Sequence, residues 1–149
     1  HLGITDQVYR DKNLSTADVA QFLENKYHIL EQFVAAHAED IQLIIERSFK
    51  ASIDEMSSGL AARDPFGSAT LAIAVLMRNW ITKQEVETVG IKGVPTKAAL
   101  DGKSSRFKSG LNRVSMKQKA KRVKKGLRRP SFYDTGLMVG SYKVWVEYD

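Results

Sequence analysis

Hydrophobic positions between Ser15 and Ser58 recur every three or four residues, which is the period of an amphipathic helix. Neither Pro nor Gly interrupts this stretch. The pattern predicts one long helix, or two helices with a bend near residues 37–40, where apolar positions become sparse. Ser15 or Thr16 is expected to cap its start. The predicted apolar face comprises Val19, Phe22, Leu23, Tyr27, Leu30, Phe33, Val34, His37, Ile41, Ile44, Ile45, Phe49, Ile53, Met56 and Leu60.

The length of this helix bears on how its apolar face is covered. A helix of about 43 residues is about 65 Å long, which exceeds the width of a compact domain of this size. The helix therefore either bends back on the body of the protein or is partly covered by another subunit. The second alternative favours an oligomer.

The rest of the chain predicts shorter elements. A second helix is expected from Ser68 to Lys83 and is apolar over much of its circumference, so it should be the most buried element. Residues 84–89 can continue it, and residues 90–102 form a loop with one helical turn at Thr96 to Leu100. The alternation of β-forming residues from Tyr142 to Tyr148 predicts a C-terminal strand.

A lone strand is unstable, so the C-terminal strand needs a partner. Residues 86–94, a hairpin within residues 103–129, or another subunit can each supply one. The fold class is therefore α+β, with a long N-terminal helix, a second buried helix and a small antiparallel sheet. We expect one domain over residues 1–149, in which residues 1–14 form an N-terminal arm and residues 103–129 a basic loop or arm.

Positive charge is concentrated in residues 103–129, named here the basic segment. It contains 12 of the 23 Lys and Arg residues and no acid, so it carries +12 while the rest of the chain carries −6. Such a segment repels itself and favours an anionic partner. The residues expected to contact a partner subunit or DNA are Lys117, Lys119, Lys121, Arg122, Lys124, Lys125, Arg128 and Arg129.

Three interpretations of the basic segment remain open from the sequence. It is a solvated loop, an arm that becomes ordered on assembly, or a DNA-binding arm that contacts phosphates without reading sequence. Met116, Ala120, Val123 and Leu127 have helical spacing, so a bound form can be an amphipathic helix. Only two aromatic residues lie in or near the helical stretch of the segment, Phe107 before it and Phe132 after it, which argues against a platform that stacks single-stranded bases.

The sequence offers little that indicates catalysis. It has no cysteine, which excludes disulfides, thiolate nucleophiles and Cys-type zinc sites. Gly102-Lys103-Ser104 resembles the end of a phosphate-binding loop, but Lys97 stands where that motif needs its first Gly. We expect no catalytic, cofactor or metal site. No run of about 18 apolar residues is present, so no membrane span is expected.

The C-terminal region carries a recognisable pattern of residues. Pro130 precedes the run Asp134-Thr135-Gly136-Leu137, and Ser141 and a strand follow. This order resembles the C-terminal signature of tail-completion and neck (head–tail connector) proteins of long-tailed bacteriophages. Taken without the resemblance, the run is a capped turn before a strand. Asp134 or Thr135 caps a short helical turn, Gly136 permits close approach, Leu137 and Met138 enter the core, and Ser141 ends the turn.

The resemblance implies a structural role in a virion, assembled in the host cytoplasm. The chain would be a subunit at the head–tail junction or the upper end of the tail, in a ring of identical copies. Its implied neighbours are other neck, portal-side or tail proteins, with non-specific contact to packaged DNA where the basic segment faces the channel, and no membrane. The alternative is a small nucleic-acid-binding protein that uses residues 103–129.

Overall fold

The computed structural model describes residues 1–8, 15–102, 127–133 and 136–147. Within these ranges the fold is α+β, which confirms the predicted fold class: the chain is mostly helical, with a small two-stranded antiparallel sheet that includes the C-terminal strand. A 3₁₀ turn spans Glu85–Glu87. The helices are α1 (Thr16–Tyr27), α2 (Ile29–Ala36), α3 (Ala38–Ser57), α4 (Pro65–Thr82), α5 (Lys97–Leu100) and α6 (Leu137–Ser141), and the strands are β1 (Leu2–Ile4) and β2 (Tyr142–Val144).

The predicted long helix is three helices with two breaks. The break at His37 lies where the sequence predicts a bend, and this prediction is confirmed. The break at His28 was not predicted: this residue has a left-handed backbone, with φ of 50°. The Glu24 side chain accepts a hydrogen bond from the Leu30 amide at 2.8 Å, so it caps the first turn of α2 across the break.

The first helix begins as the sequence predicts. The Ser15 hydroxyl accepts a hydrogen bond from the Asp18 amide at 3.2 Å, and the Asp18 carboxylate accepts one from the Ser15 amide at 2.9 Å. This reciprocal pair is a capping box. Thr16, the first residue of α1, is fully buried. Its hydroxyl donates to the Thr5 carbonyl at 2.7 Å and accepts from the Gln7 amide at 2.8 Å, which ties the N-terminal segment to α1.

Helices α3 and α4 pack against each other in opposite directions. The ring of His37, at the start of α3, lies 6.3 Å from that of Trp80 near the end of α4, while Phe49 and Phe66 meet edge to face at the other end. Helix α4 begins at Pro65, three residues before the predicted Ser68, because the Asp64 carboxylate caps the amides of residues 66 and 67.

Helix α4 contributes most to the core, as predicted. The buried cluster comprises Leu23, Ile29, Phe33, Ile73, Met77, Trp80, Ile81, Val86, Met138, Val139 and Tyr142. After α4, the left-handed Gln84, with φ of 66°, stops the helix and a 3₁₀ turn follows. The predicted turn at Thr96 to Leu100 is confirmed as α5, and the Thr96 hydroxyl caps it by accepting from the Ala99 amide at 3.2 Å.

The C-terminal strand is confirmed, but its partner differs from those expected. Strand β2 pairs with β1 in antiparallel register, with Leu2 opposite Val144 and Ile4 opposite Tyr142. The sequence analysis assigned no strand to residues 1–14. Of the three alternatives that the sequence left open, residues 86–94 are excluded as the partner, because they complete the 3₁₀ turn and form a loop. A hairpin within residues 103–129 falls almost wholly outside the described residues. The pairing of β1 with β2 was not predicted because it joins the two ends of the chain, a contact that local patterns do not indicate.

Candidate functional site

The residues that resemble the phage signature surround helix α6. Gly136 occupies the position before the helix, and Leu137 begins it. The Ser141 hydroxyl donates to the Leu137 carbonyl at 2.7 Å, and Ser141 ends the helix immediately before β2. Asp134 and Thr135, which were expected to cap this turn, lie outside the described residues. Pro130 lies directly before Ser131, which is fully buried.

Helix α6 presents two apolar side chains to the core. Met138 and Val139 are buried and belong to the main cluster, whereas Leu137 is only half-buried. The Arg78 guanidinium on α4 donates to the Tyr142 carbonyl at 3.2 Å and lies 3.4 Å from that of Gly140. Apolar packing and the hydrogen bonds from the Arg78 side chain to these carbonyls therefore both hold α6 and the start of β2 against α4.

Gly136 has a left-handed backbone conformation at the position before α6. Its φ of +76° lies in the left-handed region that residues with a side chain rarely adopt. A Cβ atom at this position would lie 3.1 Å from the Tyr133 hydroxyl. Gly136 therefore allows the chain to turn into α6 close to Tyr133.

The described end of the basic segment is bound to the body of the protein. The Arg129 amide donates to the Ala99 carbonyl at 3.1 Å, so the chain at Arg129 lies beside α5. Ala99 is three residues before Gly102, where the described part of the chain ends before the basic segment. The Arg128 guanidinium forms an ion pair with Glu87. By contrast, Leu127 is 93% exposed. Gly102, whose amide also donates to the Ala99 carbonyl, and Arg129 therefore both lie next to α5.

Glu87 is the central acid of this region, because its side chain is only 5% exposed and both of its oxygens accept hydrogen bonds. One oxygen accepts from the Ser131 amide at 3.0 Å and from the Ser131 hydroxyl at 2.8 Å, and the other accepts from Arg128. The Ser131 hydroxyl also accepts from the Thr96 amide at 3.1 Å. The network joins the 3₁₀ turn, the loop before α5 and residues 128–131.

Two opposing effects act on the pKa of Glu87. Burial raises this pKa because it disfavours the charged carboxylate. The hydrogen bonds from Ser131 and Arg128, together with the positive charge of Arg128, outweigh burial and hold the pKa below its ordinary value. Glu87 is therefore ionised at neutral pH and forms a charge-assisted network.

Of the eight residues predicted to contact a partner, the structure describes two. Arg128 is bonded to Glu87 with a side chain that is 54% exposed, and Arg129 is half-buried beside α5. The other six lie outside the described residues: Lys117, Lys119, Lys121, Arg122, Lys124 and Lys125.

The outer surface of α2 and α3 combines exposed acids with exposed apolar residues. The acids include Glu31, with a side chain 71% exposed, and Asp40, which is 58% exposed and whose carboxylate Oδ2 lies 2.8 Å from Nδ1 of His37. Ile53 and Met56 on α3 are 58% and 64% exposed. The further exposed acids on α3 are Glu39, Glu46 and Asp54.

An open cleft of about 290 Å³ lies beside the joint between α1 and α2. Its ionisable lining residues are Lys26, Tyr27, His28 and Lys92, and no Asp or Glu is among the described residues that line it. In the described ranges, no group of three or more His, Asp or Glu side chains is arranged to hold a metal ion. None of the helices described combines the length and apolar character that crossing a bilayer requires.

Comparison with known proteins gives no assignment: no family model, curated protein or solved structure matches the chain. The sequence analysis did not identify Glu87 or Ser131 as important. They are 44 residues apart and neither belongs to a motif. One signal in the sequence could have indicated Glu87. It is an acid that follows the apolar Val86, in residues that were expected to continue a buried helix.

Proposed function

We propose that the chain is a structural subunit of a tailed-phage virion, located at the head–tail junction or the upper end of the tail. It assembles with identical copies into a ring that completes the tail or joins it to the head. The observation that carries this proposal is the sequence order of Pro130, the run Asp134-Thr135-Gly136-Leu137, Ser141 and a terminal strand. Gly136 has the positive φ that the turn requires, and the next residues pack α6 into the core directly before β2.

Charge separation supports an assembly mechanism. The basic segment carries +12, and the remaining residues carry −6. Exposed acids and apolar residues lie together on the outer surface of α2 and α3. This surface is therefore a suitable binding site for the basic segment of the next copy. Charge pairs of this kind increase the rate and specificity of encounter more than they increase affinity. Where the segment faces the channel, it contacts packaged DNA through phosphates alone.

The proposal is tested in the virus that encodes the chain. A stop codon in this gene should leave heads and tails that do not join, or tails of abnormal length, as seen by electron microscopy. Adding the purified subunit should restore joined particles. Normal infectious particles without the chain would refute the virion role.

A second candidate is a small nucleic-acid-binding protein, and the concentration of Lys and Arg in residues 103–129 favours it. Titration of the purified subunit with duplex DNA at several salt concentrations separates the two functions. Tight binding with a steep fall in log K against log salt supports the nucleic-acid-binding protein. Absence of binding at moderate salt supports the structural subunit.

A further inference from the structure

We propose that Glu87 is a positioning residue that fixes where the basic segment joins the body, and that Arg128 belongs to this anchor and not to the partner-contacting surface. Two described residues on either side of residues 103–126 are bonded to the same carbonyl. The amide of Gly102, two residues after α5, donates to the Ala99 carbonyl at 3.2 Å, and the Arg129 amide donates to the same oxygen at 3.1 Å. Gly102 and Arg129 therefore both lie beside α5.

A backbone hydrogen bond alone does not explain why the returning chain stays there. Residues 103–129 carry +12 and repel one another, so electrostatics favours moving them apart. Glu87 supplies a negative charge next to Arg128, at the C-terminal end of the basic segment. Because its side chain is 5% exposed, its attraction for Arg128 is screened less than that of a surface acid.

The geometry of Glu87 also sets a register. One oxygen holds both the amide and the hydroxyl of Ser131, and the other holds Arg128, three residues earlier. Ser131 is fully buried and accepts from the Thr96 amide, next to the start of α5. A shift of the chain by one residue would break these contacts together. The carboxylate therefore specifies which residue of the returning chain meets the body.

The same contacts separate Arg128 from the other cations of the segment. Its guanidinium is already paired with a carboxylate, so an approaching phosphate or carboxylate group would also meet the negative charge of Glu87. This repulsion disfavours an anionic partner at Arg128. Contact with the partner is thus assigned to cations nearer the middle of the segment.

The anchor is tested by the distance between two spin labels on the monomer. The chain has no cysteine, so Ser68→Cys on α4 and Leu127→Cys provide unique labelling positions, both exposed. With Glu87 intact, the distance distribution should be narrow. Glu87→Gln should broaden it at least twofold while circular dichroism shows an unchanged helix content.

Glu85→Gln is the matched control, because Glu85 lies in the same 3₁₀ turn and undergoes the same change of charge. Its distribution should stay as narrow as that of the parent. Arg128→Gln provides a second variant at a half-exposed position, which decides the question if Glu87→Gln does not fold. Narrow distributions for Glu87→Gln or, in that case, for Arg128→Gln would overturn the anchor.

A functional measurement extends the test and rests on the proposed ring. Folded Glu87→Gln should enter rings at less than a tenth of the parent's yield, whereas Glu85→Gln should match the parent. Equal yields would refute the positioning role. If the parent itself forms no ring, the proposed function fails, while the label distances on the monomer still test the anchor.

Discussion

Gly136→Ala measures how much the left-handed turn before α6 contributes to stability. At φ of +76°, an Ala residue is disfavoured by roughly 1–2 kcal/mol relative to Gly. The new Cβ would approach the Tyr133 hydroxyl at 3.1 Å, but Tyr133 is 38% exposed and can move away. Ala also restricts the unfolded chain, which offsets about 0.4–1 kcal/mol. We expect a net loss of about 1 kcal/mol in the free energy of unfolding.

Gly140→Ala is the matched control within the same helix. Gly140 is exposed, its φ is not positive, and a Cβ atom would meet nothing within 4 Å. Ala is favoured over Gly inside a helix by about 0.5–1 kcal/mol, so this variant should be more stable than the parent. The same substitution four residues apart is thus expected to have opposite signs.

Urea denaturation followed by circular dichroism measures both variants. The difference in unfolding free energy between them should be about 1.5–2 kcal/mol, or roughly 3–8 °C in melting temperature for a chain of this length. If Gly136→Ala is as stable as Gly140→Ala, the backbone at residue 136 is not held in the left-handed region. The turn would then lack the geometry on which the phage resemblance depends.

Three further predictions concern stability. Thr16→Val should lower the free energy of unfolding, measured by denaturant titration, by about 1–3 kcal/mol, because the Thr5 carbonyl and the Gln7 amide lose the buried hydroxyl that binds both. A loss no larger than that of Thr82→Val, at an exposed threonine, would contradict this prediction. His28→Gly should raise the unfolding free energy by up to about 1 kcal/mol, because Gly adopts φ of 50° without steric cost, and a less stable variant would show that other contacts of His28 dominate. The folded-state pKa of Glu87 is lowered, so its stabilisation is complete above the unfolded pKa of about 4.3 and is lost as pH falls through the folded pKa. Below pH 5, the melting temperature should therefore fall less steeply with decreasing pH for Glu87→Gln than for the parent. Equal slopes of melting temperature against pH would refute the contribution of ionised Glu87 to stability.

Local sequence patterns identified most of the helical residues. The three-and-four spacing indicated the residues of α1 to α3, and the expected cap at Ser15 or Thr16 marked the start of α1, where the structure shows a capping box of Ser15 and Asp18. The break at His28 left no comparable signal, since neither Gly nor Pro stands there. A left-handed backbone is uncommon for any residue with a side chain, and although His adopts it more often than most, a single His does not predict it.

Long-range contacts could not be predicted in the same way. The residues of β1 are too few to show strand periodicity, and their pairing with β2 spans nearly the whole chain. The Glu87 network likewise joins residues that are 41 and 44 positions apart. The sequence identified the concentration of positive charge in residues 103–129. That Glu87 is the acid paired with the end of this segment became evident only from the folded structure.

Charge reversal within the basic segment tests the central claim, that this segment joins one subunit to the next. Lys121, Arg122, Lys124 and Lys125 would all be replaced by Glu, and a control would carry the same replacement at the exposed Lys50, Lys83, Lys92 and Lys97. Both variants have the same net charge, so only its location differs.

Native mass spectrometry and electron microscopy of the assembled particles provide the measurement. We expect the control to form rings like the parent, and the segment variant to remain a folded monomer. Rings of normal mass from the segment variant would contradict the account.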